Sequence, residues 1–260
     1  VLLRAENIKI SFQSRNKKTT VKAVDGVSLS IKKGEVFGIV GESGCGKSTL
    51  GRGLINLLPL TEGAVYVDGK DLAQLDVKEM KEMRKKVQII FQDPSACLNP
   101  RKTIRQILME PYLVQGIKDK KKITEEIHEL LEIVGLADYH LSRYPHELSG
   151  GQKQRIGIAR ALALKPELVV CDEAVSALDV SVQAQVINLL TQLKNKLGLT
   201  YVFISHNLNV VYQVSDRVGV MYLGRMVEIA PYESLYREHF HPYTEALLSA
   251  IPQIDRKSVV

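Results

Sequence analysis

The chain reads Gly41-Glu42-Ser43-Gly44-Cys45-Gly46-Lys47-Ser48-Thr49 between an apolar run and a segment with helical periodicity. This stretch fits the pattern G-x-x-x-x-G-K-[ST], in which a strand, a glycine-rich turn and a helix follow one another. Glycines adopt backbone angles that a Cβ would forbid, so successive N–H groups converge on phosphate oxygens, and the helix adds its positive N-terminal dipole. The pattern therefore predicts a nucleotide phosphate loop, with Lys47 on the β- and γ-phosphates and the Ser48 hydroxyl on Mg²⁺.

The apolar run before this loop, Val36–Val40, is nearly continuous, which indicates a strand buried on both faces as in a parallel sheet. Two more buried strands are predicted at residues 168–171 and 201–204, and apolar residues between them recur at helical spacing over 182–197. Strand, helix and strand in this order form a βαβ unit. We therefore expect a parallel sheet flanked by helices.

The remaining segments predict a second, strand-rich part and a helical part. Residues from about 98 to 164 are mostly helical and contain no convincing strand, so we interpret them as a helical subdomain inserted into the α/β core. The other predictions are strands at 2–10 and 27–31, an exposed basic loop at 13–20, and helices from the phosphate loop to about residue 58, at 123–134 and at 243–250.

Composition excludes several classes of protein. The 260 residues carry 35 Lys and Arg against 29 Asp and Glu, a net charge of +6 that is spread along the chain and indicates a solvated surface, not a nucleic-acid partner. No apolar run approaches the roughly 18 residues of a membrane-spanning helix, and we expect no secretory signal. Cys45, Cys97 and Cys171 are too few for a disulfide framework or zinc site and fit a reducing compartment.

Two carboxylates follow the predicted strand 168–171. Ligands of parallel sheets bind at the carboxyl ends of the strands, which is the edge where the phosphate loop is expected. Asp172 is therefore predicted to hold Mg²⁺ through its water shell, and Glu173 to accept a proton from the water that attacks the γ-phosphate. A surface Asp-Glu pair is the alternative, and the neighbouring phosphate loop favours the functional interpretation.

A third motif, Leu148-Ser149-Gly150-Gly151-Gln152, stands between the phosphate loop and the carboxylate pair. This order resembles the ATP-binding cassette (ABC) family. The resemblance implies a RecA-like P-loop NTPase fold: an α/β parallel-sheet core with an antiparallel β subdomain and an inserted α-helical subdomain. It also implies ATP and Mg²⁺, and two subunits packed head-to-tail so that Ser149, Gly150, Gly151 and Gln152 of one close over the ATP of the other. Ser149 is in addition a good helix N-cap beside an anion site.

The resemblance assigns roles to four further residues. Gln92 matches the glutamine that touches Mg²⁺ or the attacking water, and His206 matches the histidine that hydrogen-bonds the γ-phosphate. Asp179 matches the aspartate that communicates across the dimer, and Phe12 the aromatic that stacks on adenine, with an ordinary strand aromatic as its alternative. Ala174 departs from the family, which usually has proline there, and relaxes the backbone that positions the catalytic glutamate.

Residues 93–94, 98–101, 144–147 and 241–248 are similar to the ATPase subunits of bacterial oligopeptide and dipeptide importers. This implies an ABC ATPase domain over 1–241 with a short C-terminal extension over 242–260. It also implies a second, non-identical ATPase subunit, two transmembrane permease subunits and an extracytoplasmic solute-binding protein, with this chain peripheral on the cytoplasmic face of the cell membrane. No cysteine follows Cys171, so an iron–sulfur site is not predicted.

Three alternatives stay open. Similar subunits import nickel or glutathione, and others serve a soluble enzyme complex of the phosphonate C–P lyase type. Cassettes linked to nucleic acid are less favoured, because they usually carry two cassettes, a long coiled-coil insert or zinc-binding cysteines, none of which this sequence contains.

Overall fold

The structure is a computed structural model that describes residues 1–13 and 19–249. Residues 14–18 of the predicted basic loop and 250–260 of the predicted C-terminal extension lie outside this description. Its strands are β1 (Leu3–Gln13), β2 (Thr20–Ile31), β3 (Val36–Val40), β4 (Glu62–Val67), β5 (Lys70–Asp71), β6 (Val87–Ile90), β7 (Leu168–Asp172), β8 (Thr200–Ile204), β9 (Arg217–Tyr222) and β10 (Arg225–Pro231). Its helices are α1 (Lys47–Leu54), α2 (Val77–Lys86), α3 (Pro94–Cys97), α4 (Ile104–Val114), α5 (Lys120–Ile133), α6 (Gly150–Leu162), α7 (Val180–Leu197), α8 (Leu208–Val214), α9 (Tyr232–Arg237) and α10 (Pro242–Ser249).

The strands form two sheets. One is antiparallel with the order β2-β1-β4-β5, and the other has the order β10-β9-β3-β8-β7-β6. In the second sheet β9, β3, β8, β7 and β6 run parallel, and β10 pairs antiparallel with β9 at the edge. The parallel-sheet core with an antiparallel β subdomain is the fold that the sequence predicts.

Strand β3 is covered on both faces, as its apolar sequence predicts. Val36 and Val40 lie in one hydrophobic core with the helices of the insert, while Phe37 and Ile39 lie in the other with the antiparallel sheet and α1. All four side chains are 2% exposed or less. Because successive residues of a strand point to opposite faces, one short strand joins both cores and fixes the position of the loop that follows it.

The chain between β6 and β7 is helical in the structure. Helices α3 to α6 and two short 3₁₀ turns follow one another there, and no strand interrupts them in this fully described segment. Leu108 of α4, Leu131 of α5 and Ile156 of α6 are fully buried in one core. An inserted helical subdomain was expected, and its limits near 98 and 164 stay a prediction.

The structure corrects the length of the first helix. The sequence predicts that it runs to about residue 58, but α1 ends at Leu54. Ile55 leaves the helical conformation and Asn56 adopts a left-handed φ of 54°, which asparagine tolerates better than most residues. The prediction also missed β4, β5, β6 and the β9–β10 hairpin.

Candidate functional site

The phosphate loop, residues 41–49, leaves the end of β3 and enters α1. Its glycines Gly41, Gly44 and Gly46 all have positive φ. A Cβ on Gly41 would collide with the Met221 carbonyl, and a Cβ on Gly46 with the Ala23 carbonyl. The first and third glycines are therefore required by two neighbouring backbones as well as by the turn itself.

The side chain of Lys47 points back toward the first residues of the phosphate loop. Its Nζ donates to the carbonyl oxygens of Gly41 and Glu42 at 2.7 Å each, and the residue is only 4% exposed. Helix α1 begins at Lys47, and its N-cap Gly46 provides no side-chain acceptor for the N–H groups of the first turn. An ammonium and the open N-terminus of a helix thus lie together, which is an arrangement that attracts phosphate.

The other loop residues differ in exposure. Cys45 is buried 3.9 Å from Lys47 Nζ, and burial raises the pKa of its thiol although the Lys47 charge opposes the shift. Glu42, Ser43 and Gly44 are exposed, while Ser48 and Thr49 are half-buried at the start of α1. The tip of the loop is thus open to solvent while its base is packed.

Asp172 ends β7 with its side chain 1% exposed. Its Oδ2 accepts a hydrogen bond from Arg52 Nη2 at 3.1 Å, whereas its buried Oδ1 has no hydrogen-bond partner among the described residues. A buried carboxylate oxygen without a partner is costly unless a cation or donor reaches it. The position suits Mg²⁺, which is bound through one or two carboxylates together with water and phosphate oxygens.

No group of three or more His, Cys, Asp or Glu that could hold a metal ion occurs in residues 1–13 and 19–249. A cation beside Asp172 would therefore depend on hydroxyl, amide, water or phosphate oxygens for the rest of its shell. This requirement agrees with the predicted set of Asp172, the Ser48 hydroxyl and the Gln92 amide, because Mg²⁺ keeps several such ligands.

The structure brings three predicted catalytic residues together. Gln92 Nε2 donates to Glu173 Oε2 at 2.9 Å, and His206 Nδ1 lies 3.4 Å from the same oxygen. The three residues follow β6, β7 and β8, which are adjacent parallel strands. The carboxyl ends of these strands meet at one edge of the sheet, so Gln92 and His206 both reach the Oε2 atom of Glu173.

Glu173 has a strained backbone, with a φ of 48° in the left-handed region that glutamate rarely adopts. Its N–H donates to the Ile204 carbonyl at 3.0 Å, and its carbonyl accepts from the Ser176 N–H and hydroxyl at 3.1 and 3.0 Å. Ala174, where the family usually has proline, is 1% exposed. The hydrogen bonds on both sides of the Glu173 peptide hold the strained conformation without a proline.

The segment 148–152 lies at the start of helix α6. Ser149 caps α6: its hydroxyl accepts from Gln152 N–H at 3.3 Å, and the Gln152 side chain accepts from Ser149 N–H at 2.9 Å. Gly151 packs against Val182 of α7. Ser149 and Gly150 are exposed, and no hydrogen bond within the described chain links the segment to the phosphate loop.

Asp179 lies beside this segment as the N-cap of α7. Its carboxylate accepts from the Val182 N–H at 3.0 Å and the Ser181 hydroxyl at 2.9 Å, and these hydrogen bonds lower its pKa. The side chain of Leu178, one residue earlier, approaches Gly150. Asp179 therefore lies close to the segment 148–152, and Asp179, Ser149 and Gly150 are all exposed.

Phe12 is 45% exposed near the end of β1, opposite Val21 of β2. The carbonyl of Ala23, two residues further along β2, lies against Gly46 of the phosphate loop. Phe12 is thus on the strand next to the one that packs on the loop, and its contact with adenine stays a prediction.

Two contacts of the site were not anticipated. Arg52 donates a hydrogen bond to Asp172, which is 120 positions later in the chain. The hydroxyl of Tyr243 accepts the Glu42 N–H at 3.0 Å, and these two residues are 201 positions apart. For Arg52 a signal existed, because a buried strand-end aspartate needs a cationic neighbour and Arg52 is on the helix that follows the loop. For Tyr243 the local sequence offers none.

Comparison with known proteins agrees with this geometry. The profile of the family described as "ABC transporter" matches residues 24–176, and that of the "Oligopeptide/dipeptide transporter, C-terminal region" matches residues 227–259. The putative oligopeptide transport ATP-binding protein YkfD of Bacillus subtilis is 56% identical over 96% of this chain and 76% of its own length. The oligopeptide transport ATP-binding protein AppF of the same organism is 52% identical over 100% of this chain and 80% of its own length.

Solved structures also match. The ATP-binding cassette MJ0796, solved as a dimer in a post-hydrolysis state bound to ADP and Pi, superimposes with a TM-score of 0.79 at 30% identity over 88% of this chain and 98% of its own. The protein cbiO1 of Clostridium perfringens superimposes with a TM-score of 0.79 at 26% identity over 91% of both chains. In residues 1–13 and 19–249, no helix is both long and apolar enough to cross a bilayer.

Proposed function

This chain belongs to the ABC transporter family, and we propose that it is the ATP-hydrolysing subunit of an importer that takes up di- and oligopeptides through separate permease subunits. The observation that carries the ATPase assignment is the convergence of Gln92, Glu173 and His206 beside the phosphate loop. The names of the similar Bacillus proteins and the match of residues 227–259 support the solute class.

The phosphate loop binds the triphosphate of ATP. Its N–H groups and the N-terminus of α1 face the phosphates, and Lys47 exchanges the carbonyls of Gly41 and Glu42 for β- and γ-phosphate oxygens. Mg²⁺, when bound by Ser48, Gln92 and Asp172, neutralises charge on the phosphates. The residues 41–49 thus form the nucleotide cradle, with Phe12 against the adenine.

Glu173 acts as the base for hydrolysis. Its Oε2 already accepts the Gln92 amide and lies near His206, so that side chains from β6 and β8 fix its orientation. From this position the carboxylate takes a proton from the water that attacks the γ-phosphate, while His206 hydrogen-bonds that phosphate. The strained φ of Glu173 supports this role, because such strain is concentrated at functional sites.

A second ATPase subunit completes the site. Ser149, Gly150, Gly151 and Gln152 lie near Asp179, and no hydrogen bond in the described chain links these five residues to Gln92, Glu173 or His206. In a head-to-tail pair this surface closes over the ATP of the neighbour, and the dimeric cassette that this chain resembles supports such an arrangement. The proposed partner is non-identical.

The subunit works on a membrane complex. The proposal places residues 1–241 as the ATPase domain and 242–260 as a C-terminal extension, peripheral on the cytoplasmic face of the bacterial membrane. Two permease subunits and an extracytoplasmic solute-binding protein complete the importer. ATP-driven closure of the ATPase pair changes the side of the membrane from which the solute reaches the permeases.

The test is peptide uptake in the host of origin, with its other peptide importers deleted. Loss of this gene should abolish uptake of a radiolabelled tripeptide, and the wild-type gene should restore it. Glu173→Gln should fail to restore it, whereas Glu238→Gln should succeed, because Glu238 is exposed and its side chain makes no hydrogen bond or ion pair in the described chain. Normal tripeptide uptake without the gene, with loss of nickel or glutathione uptake, would overturn the solute assignment.

A further inference from the structure

The C-terminal helix α10 touches the phosphate loop. The hydroxyl of Tyr243 accepts a hydrogen bond from the N–H of Glu42 at 3.0 Å. The Tyr243 ring packs on Tyr222 with a centroid distance of 4.3 Å and an interplanar angle of 38°. Burial raises the pKa of Tyr243 above its usual value of 10, so the phenol is neutral near pH 7.

One carboxylate of β10 holds the start of helix α10, whose Tyr243 and Leu247 also pack against the hydrophobic core. Glu228 of β10 accepts from the N–H of Phe240 at 3.1 Å and of His241 at 3.3 Å, and from the Thr244 hydroxyl at 2.7 Å. Thr244 is 1% exposed. Three hydrogen bonds to one charged group hold the start of the helix, which sets where Tyr243 is placed.

The peptide that Tyr243 contacts joins Gly41 to Glu42, so its own carbonyl oxygen is that of Gly41. The Gly41 carbonyl accepts from Lys47 Nζ at 2.7 Å. Lys47 must leave that carbonyl when it turns to a phosphate. Within the described chain, Tyr243 is the acceptor for the Glu42 N–H, and this hydrogen bond does not involve Lys47.

The second half of the loop is held by the β9–β10 hairpin. The Gly224 N–H donates to the Cys45 carbonyl at 2.9 Å, and the Met221 carbonyl lies against Gly41. Tyr222, which packs on Tyr243, belongs to the same hairpin. The hairpin and α10 therefore both contact the phosphate loop, and they pack on each other through Tyr222 and Tyr243.

We propose that Tyr243 is a positioning residue for nucleotide binding: its hydroxyl holds the first peptide of the phosphate loop in the binding conformation, so that nucleotide affinity depends on the attachment of α10. The inference rests on the proposed function, because it assumes that ATP binds at residues 41–49. Tyr243 acts through the loop backbone and has no assigned contact with the nucleotide.

The test compares Tyr243→Phe with Tyr222→Phe in the full chain. The first removes the hydroxyl that accepts Glu42 N–H and keeps the stacked ring, whereas the second removes a hydroxyl from the other ring of the same pair. Calorimetric titration with Mg²⁺ and a non-hydrolysable ATP analogue should show affinity about 2- to 10-fold weaker for Tyr243→Phe, which corresponds to one hydrogen bond. Tyr222→Phe should bind as wild type does.

A second measurement needs no nucleotide. Hydrogen exchange of the Glu42 amide should be faster in Tyr243→Phe than in wild type and unchanged in Tyr222→Phe, because only the first variant removes its acceptor. In the assembled transporter, Tyr243→Phe should raise KM for ATP and leave kcat close to that of wild type. A purely structural role would lower the melting temperature without changing KM.

A third variant tests the path from β10. Glu228→Ala should weaken analogue binding, and adding Tyr243→Phe should change it little further, because both act through the same contact. Equal affinity and equal Glu42 exchange in wild type and Tyr243→Phe would overturn the inference. Failure of the wild-type chain to bind the analogue at all would instead overturn the proposed function.

Discussion

Arg52 Nη2 lies 3.1 Å from Asp172 Oδ2, so the guanidinium reaches from the last turn of α1 to the end of β7. The Asp172 side chain is 1% exposed and that of Arg52 42%. The arginine is the cation that compensates this carboxylate within the described chain, while the second oxygen lacks a partner. Arg52 thus compensates one oxygen of the buried carboxylate and leaves the other oxygen for the proposed Mg²⁺.

Arg52→Ala should destabilise the chain by about 2 kcal/mol, since it leaves a buried carboxylate without its partner while the arginine itself was partly solvated. This corresponds to a fall of about 4–8 °C in melting temperature for a chain of this size. Added Mg²⁺ and ATP should reduce the deficit relative to wild type, because the cation supplies positive charge beside Asp172. Thermal unfolding with and without both ligands measures this.

Arg225→Ala is the matched control. It breaks an ion pair with Asp25 in which the arginine side chain is 70% exposed, so its cost should stay below about 1 kcal/mol and should not depend on Mg²⁺. Equal losses in the two variants, or an Arg52→Ala deficit that magnesium and ATP leave unchanged, would contradict the compensation by Arg52.

Glu173→Gln should bind ATP with near wild-type affinity and hydrolyse it about 10²- to 10⁴-fold more slowly, because the amide cannot accept the proton of the attacking water. Gln92→Ala and His206→Ala should each slow turnover less, since these residues orient Glu173 and contact Mg²⁺ or the γ-phosphate but do not take the proton. Phosphate release by the assembled transporter gives the rates. Turnover by Glu173→Gln close to that of wild type would remove this residue from the base role.

Gly46→Ala should abolish nucleotide binding, because the new Cβ meets the Ala23 carbonyl of β2 and forces the loop or the strand to move. Gly116→Ala separates this collision from the cost of the backbone angle. Gly116 also has a positive φ, but a Cβ there meets nothing within 4 Å, so about 1–2 kcal/mol of stability should be lost with ATP affinity unchanged. Similar ATP affinity in the two variants would show that the loop or the strand moves to avoid the collision at little cost in free energy.

The parts of the structure that local pattern decides could be predicted from the sequence. The spacing of Gly41, Gly46 and Lys47 specifies the loop, and the continuous apolar runs of β3, β7 and β8 specify buried parallel strands. The position of Glu173 at the carboxyl edge of the sheet followed from its place directly after β7, whereas Gln92 and His206 were assigned by the family resemblance. In each case a few neighbouring residues contain the information.

Other features depend on single backbone conformations or on distant partners. The hairpin of β9 and β10 is decided by Leu223 and Gly224, whose positive φ angles form a tight turn that is not obvious from their residue types. The contact of Tyr243 with Glu42 depends on where Glu228 anchors α10, and no local periodicity encodes that position. The early end of α1 followed from the left-handed Asn56, which competes with helix-favouring leucines.

The attachment of α10 to the rest of the chain should weaken at low pH. Burial raises the pKa of Glu228, but hydrogen bonds from Thr244, Phe240 and His241 lower it more, so the folded value lies below the ordinary 4.5. A depressed carboxylate pKa contributes stability that is present above the unfolded value and is lost as pH falls through the folded one. Hydrogen exchange of residues 242–249, corrected for intrinsic rates, should accelerate as the pH falls below about 4.5.

Glu228→Gln identifies the group responsible. The variant cannot lose this charge, so its exchange over 242–249 should be faster than that of wild type at neutral pH and should change less on acidification. Glu245→Gln changes an exposed glutamate of α10 itself and should keep the wild-type pH profile. An acid-induced acceleration in Glu228→Gln as large as that in wild type would assign the effect to another group, because the carboxylate that receives the three hydrogen bonds would then be absent.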